Sequence, residues 1–85
     1  MKIEREVYSS NSYTRLGKIV LYEHKGAPLA IFPFSAWIIN SISGDPAKTA
    51  REALSSLIKL IIKEMKDGEE RDRLIAESVA LYCSL

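Results

Sequence analysis

The stretch DPAKTAREALSSLIKLIIKEMK constrains this chain more than any other, because its apolar residues recur with a helical period and both of its ends carry boundary signals. Asp45 can accept a hydrogen bond from the free amides of a first turn, and Pro46 supplies a pre-set φ where no N–H is needed. Ala50, Leu54, Leu57, Ile58, Ile61 and Met65 then fall on one stripe at three- and four-residue spacings. Lys63 and Lys66 suit the negative end of the helix dipole, and Gly68 can take the left-handed conformation that ends a helix. The spacing predicts a central helix over 45–67. Leu60 and Ile62 lie outside the stripe, so at about 100° per residue the apolar sector widens to roughly 200°, about twice one buried face. Such a helix needs two coverings: a sheet on one side, and on the other a further helix or a second copy of the chain.

Length makes the second copy attractive. A chain of 85 residues is one domain that buries only about 60–65% of its surface on folding. The one cysteine, Cys83, cannot close an internal disulfide, so oligomerisation is the expected source of extra stability. Apolar residues at 47% and charged residues at 27% describe a soluble globule, and no run approaches the 18 or so apolar residues of a membrane span. The opening MKIERE lacks a signal-peptide pattern, which with the unpaired Cys83 predicts a cytoplasmic protein. Twelve Lys and Arg stand against eleven Asp and Glu, for a net charge of +1. That balance gives no global attraction to nucleic acid or anionic membrane, so any such partner must be met by a local patch.

Residues 2–8 alternate as an edge strand with Ile3 and Val7 inward, although Arg5 falls on the same face. Ser9, Ser10, Asn11 and Ser12 read as a turn, and residues 13–24 as the best strand, with Ile19 and Leu21 inward. Leu16 has the wrong parity for that face, and a bulge at Gly17 returns it inward while turning Tyr13 and Arg15 outward. After a turn over 25–28, residues 29–34 read as a third strand, apolar on both faces, that Pro33 confines to an end or an edge. Ser35 reads as the N-cap of a short helix over 35–43, with Phe34 and Ile39 as its hydrophobic staple and Trp37, Ile38 and Ile42 docking it. Gly44 closes that helix. A last helix over 69–84 opens on an Asp67–Glu70 capping box, buries a face carrying Leu74, Ile75, Ser78, Leu81, Tyr82 and Leu85, and shows Glu69, Arg73 and Glu77 as i,i+4 pairs. The expected architecture is α+β: a three-stranded antiparallel meander over 2–34 followed by three helices, β-β-β-α-α-α, as a homodimer. The expected dimer interface is Leu57, Leu60, Ile61, Ile62, Leu81 and Leu85.

No residue constellation supports catalysis. His24 is the only histidine and has no partner at triad or zinc spacing, Cys83 sits among apolar residues at the terminus, and the four glycines stand singly, so no loop cradles phosphate. The chain reads as a non-enzyme without metal or cofactor. A helix-turn-helix reader is disfavoured because the central helix is too apolar to be a recognition helix. One constellation remains. The outward face of the second strand carries Tyr13, Arg15, Lys18, Tyr22 and His24, flanked by Tyr8 and by Lys25, and Phe32 and Trp37 extend it if they face that way. Cations tracking a backbone beside rings that stack bases are what sequence-tolerant single-stranded nucleic acid binding requires. Arg15, Lys18 and Lys25 are the expected phosphate contacts, and Tyr13 and Tyr22 the expected stacking residues. Glu4, Glu6 and Glu23 dilute that field. The rival expectation is a protein-interaction module, an adaptor, inhibitor or regulator that binds a protein partner through the surplus apolar surface. Neither amphipathic helix has the basic polar face of a membrane-surface helix.

Overall fold

The computed structural model describes residues 1–25 and 31–85. Three strands, β1 (Lys2–Tyr8), β2 (Arg15–Glu23) and β3 (Phe34–Ile38), form one antiparallel sheet in the order β1-β2-β3, and two helices follow, α1 (Ala50–Glu64) and α2 (Glu69–Cys83). The class is α+β as expected, with two helices in place of three. Among the described residues no helix is long and apolar enough to cross a membrane.

The first hairpin forms as its alternation dictates. Ile3 pairs with Leu21, Arg5 with Ile19 and Val7 with Gly17, after which the register slips so that Tyr8 faces Arg15. Leu16 is the extra residue of this bulge; it packs against the core while Arg15 turns outward. β2 starts two residues later than expected because the polar turn extends through Thr14, whose carbonyl accepts from the Ser9 N–H at 2.8 Å. Within the turn the Tyr13 N–H donates to Asn11 Oδ1 at 3.0 Å and the Thr14 N–H to Ser9 Oγ at 3.2 Å. Arg5 does lie on the helix-covered face, half-buried, and Glu77 of α2 meets its guanidinium at 3.7 Å.

The third strand is displaced from its expected place. Residues 26–30, which hold most of the expected turn and the start of the expected strand, lie outside the described residues, and Ile31, Phe32 and Pro33 are not strand. Residues 35–38, read as the start of a helix, instead form β3 together with Phe34. Its sequence FSAWI alternates: Ala36 and Ile38 are buried and Phe34 packs against the core, while Ser35 and Trp37 take the opposite face. A turn follows in which Asn40 has φ 59, a conformation asparagine tolerates better than most residues. The chain then runs back along β3. The Gly44 N–H donates to the Ala36 carbonyl at 2.9 Å, and Phe34 and Ala47 exchange N–H···O bonds of 3.1 and 2.8 Å. An irregular segment thus covers what would be an open sheet edge.

That pairing draws residues 45–47 out of the central helix, which starts at Ala50 and not at Asp45. Thr49 is the N-cap, its hydroxyl accepting from the Glu52 N–H at 3.1 Å, while the Asp45 N–H donates to Ser56 Oγ at 2.9 Å. Gly68 does not end α1, whose C-cap is Met65; it is the N-cap of α2, with φ 155, a region open to glycine alone. The Asp67–Glu70 capping box does not form, since α2 has no side-chain cap and the Asp67 carboxylate is held by Arg71 one turn on. Glu69 does not pair with Arg73 either. It accepts from the Ser10 N–H at 3.0 Å, and Arg73 Nε donates to the Tyr8 carbonyl at 3.0 Å, so both fasten α2 to the first hairpin.

Both helices lie on the same side of the sheet. Val7, Ile19, Leu21, Ala36 and Ile38 meet Ala53, Leu54, Leu57 and Ile61 of α1 and Leu74 and Leu81 of α2 in one core. Ser78 is buried in α2 with its hydroxyl unpartnered.

Candidate nucleic-acid interface

The strand register assigns the opposite side of the sheet to Lys2, Glu4, Glu6 and Tyr8 of β1, to Arg15, Lys18, Val20 and Tyr22 of β2, and to Ser35 and Trp37 of β3. Neither helix packs here. Val20 is nonetheless buried, with Glu4 and Trp37 as its two neighbours across the sheet.

The far end of β2 gathers the aromatic groups. Tyr22 lies edge-on to Trp37, with ring centroids 6.4 Å apart and planes at 63°, and edge-on to His24 at 4.7 Å and 85°. These are attractive arrangements of ring quadrupoles, and they hold the three rings in one array. The His24 N–H donates to the Pro33 carbonyl at 2.7 Å, which ties the segment carrying exposed Phe32 to the same corner.

Charge along the face is balanced locally. The Glu4 carboxylate bridges Lys18 at 2.9 Å and Lys2 at 3.1 Å, and the two ammonium groups, Lys18 first, hold its carboxyl below the usual glutamate value. Glu6 receives Arg15 at 3.4 Å and the Tyr8 hydroxyl at 2.8 Å; donating to a carboxylate raises the Tyr8 phenol above its ordinary value. Lys25, exposed just beyond β2, joins no ion pair among the described residues.

The five residues expected to bind nucleic acid are therefore spread along the strand. Tyr13 is 90% exposed in the turn before β2, Arg15 opens the strand, Lys18 lies midway and half-buried, and Tyr22 and Lys25 stand at the far end. At about 3.3 Å per residue, Arg15 and Tyr22 are roughly 20 Å apart, so Tyr13 and Tyr22 do not make one stacking surface. Tyr22 meets Trp37 edge-on instead, a residue that the helical reading of 35–43 had turned toward the core. The signal for Trp37 was the alternation of FSAWI, which exposes it on the face opposite Ala36 and Ile38.

Of the six residues expected at a dimer interface, Leu57, Ile61 and Leu81 are filled into the core of the single chain. Leu60 is half-buried, and Ile62 and Leu85 are exposed. Among the described residues no three His, Cys, Asp or Glu side chains come together to hold a metal ion. Comparison with known protein families, with curated proteins and with solved structures returns no match.

Proposed function

We propose that this protein is a small non-enzymatic module that binds single-stranded DNA or RNA on the uncovered sheet face, with little sequence preference. The observation that carries the reading is the Trp37–Tyr22–His24 array, three rings assembled on a face that no helix covers. Base stacking on such rings contributes about 1–3 kcal/mol per base and tolerates any sequence, because every base has a π-face. Stacking leads in this proposal and charge follows, because Lys2, Lys18 and Arg15 already have carboxylate partners. A cytoplasmic setting, in which Cys83 stays reduced, belongs to the same proposal.

The only tryptophan in the chain sits in the array, so its fluorescence reports the site directly. Titration with an unlabelled single-stranded oligonucleotide is expected to quench Trp37 saturably, with a duplex of the same sequence binding more weakly. Tyr22→Ala is expected to weaken binding about 5- to 100-fold while the circular dichroism stays unchanged. Absence of quenching at low salt, or affinity indifferent to Tyr22→Ala, would sink the reading.

A second reading, a protein-interaction module, is favoured by a different observation. Ile62 and Val79 are both exposed on the helical side of the molecule, 49% and 42% respectively, at the far side from the sheet.

A further inference from the structure

We propose that the outer seam between α1 and α2 is where a second copy of this chain docks, about a two-fold axis that runs parallel to the helices. The proposal takes the helical seam of the protein-interaction reading and names its partner; the sheet-face reading does not depend on it.

The two helices form an antiparallel hairpin. Arg71 at the start of α2 reaches the Ile62 carbonyl near the end of α1, and Arg51 at the start of α1 reaches the Leu85 carbonyl just beyond the end of α2 and lies 5.2 Å over the Tyr82 ring. On the side away from the sheet they enclose a shallow, mostly apolar groove of about 380 Å³ lined by Ser55, Ile58, Lys59, Val79, Tyr82 and Cys83. Ile62 continues it one turn along from Ile58. An apolar seam of this kind on an 85-residue chain with no disulfide calls for a cover.

Charge specifies the cover. Lys59 and Lys63 of α1 and Lys66 just after it join no ion pair among the described residues. On α2 the situation is reversed. Its two arginines are engaged, Arg71 with Asp67 and Arg73 with Glu77, and Glu69 is bonded to Ser10, while Asp72 of its acidic first turn joins no ion pair. Counting about 100° per residue from the buried Leu57 and Ser78, Lys59 and Lys66 point away from the core on α1, with Glu52 at its opposite end, as do Asp72 and Ala76 on α2. The seam therefore has a basic flank and an acidic flank, which is the pattern of a self-complementary surface.

Two face-to-face symmetries are available, and the charges choose between them. An axis across the helices sets α2 against the partner's α2 with ends reversed, bringing the acidic first turn to the carboxyl end of a helix dipole and Lys66 toward the basic start of α1 at Lys48 and Arg51. An axis along the helices sets α1 against the partner's α2 at the same level. Lys66 then meets Asp72 of the other copy, Ile58 packs over Ala76 and Val79, and the small Ala76 allows close approach. Both contacts occur twice, and the two sheet faces end on opposite outer sides of the dimer.

Sedimentation equilibrium of the full chain tests this directly. The expected species has twice the 9.5 kDa chain mass. Val79→Glu is expected to raise the dimer dissociation constant at least 100-fold with the circular dichroism unchanged. Lys66→Glu and Asp72→Lys are each expected to weaken the dimer about tenfold, and the double variant to restore it, because the swap reinstates the pair across the axis. A monomer at every concentration up to millimolar overturns the proposal, as does a dimer indifferent to Val79→Glu. A dimer that the double charge swap fails to restore overturns the assigned axis. None of these outcomes alters the Trp37 quenching experiment, so the two readings fail separately.

Discussion

At the scale of single residues, two glycines that look alike in the sequence have opposite duties. A Cβ on Gly44 would stand 3.0 Å from the Leu57 nitrogen and 3.2 Å from the Ala36 oxygen, both of them backbone atoms that cannot swing aside. The segment after β3 can lie against α1 only because that side chain is missing. On Gly17 the same Cβ meets Ile38 Cγ2 and Leu74 Cδ2, each at 3.4 Å, which is ordinary packing against side chains that adjust. Gly44→Ala is therefore expected to destabilise the fold by about 2–3 kcal/mol, as forced overpacking does. Gly17→Ala is expected to change stability by less than about 1 kcal/mol, with the loss of backbone freedom in the unfolded chain offsetting the tighter fit. Urea unfolding of the two variants separates these cases, and equal destabilisation would contradict the close approach at Gly44.

At the scale of elements, what could be read ahead of the structure depended on whether one period governed a stretch. β1, the core of β2 and α2 were legible because each shows a single periodicity over seven or more residues, and the bulge at Leu16 followed from one misplaced leucine. The short helix read over 35–43 failed because Phe34 and Ile39 suit a staple and a short helix, while the five residues of β3 also satisfy alternation. A tertiary fact decided the matter: β2 has a second edge, and FSAWI completes it. The same pairing moved the start of α1, since residues held along β3 cannot also be helical. The place of Trp37 in the candidate site, conditional in the sequence, turned on the same point, because it reaches the outer face as a strand residue. The boundary at Thr49 has a consequence that distinguishes it from one at Asp45. Thr49→Ala removes the hydroxyl that accepts from the Glu52 amide and is expected to cost about 1 kcal/mol. Asp45→Ala, which leaves the Asp45 backbone bond to Ser56 intact, is expected to cost less than about 0.5 kcal/mol by thermal unfolding, as a surface substitution does.

At the scale of the whole molecule, a net charge of +1 conceals how the charges are spent. The sheet face carries cations, but Glu4 holds two of them, and this pairing decides how strongly the face can attract a polyanion. Glu4 ionises at lower pH in the folded protein than in the unfolded chain, so the pairing stabilises the fold across the neutral range and loses that contribution as pH falls through the carboxylate range. Glu4→Gln removes the charge at constant pH. Lys2 and Lys18 are then free to meet phosphates, each contact with a single strand adding about 0.7 to the slope of log affinity against log salt. For the unaltered protein a shallow slope of about 1 is expected, since stacking dominates and few counterions are displaced. For Glu4→Gln the expectation is a slope steeper by about 1.4, tighter binding at low salt and little difference at high salt, read from Trp37 quenching at several salt concentrations. Lys2 lies beside Tyr22 in the strand register, so a variant that binds no more tightly at low salt would mean that the bound strand engages the rings of Tyr22 and Trp37 while its phosphates stay clear of Lys2 and Lys18.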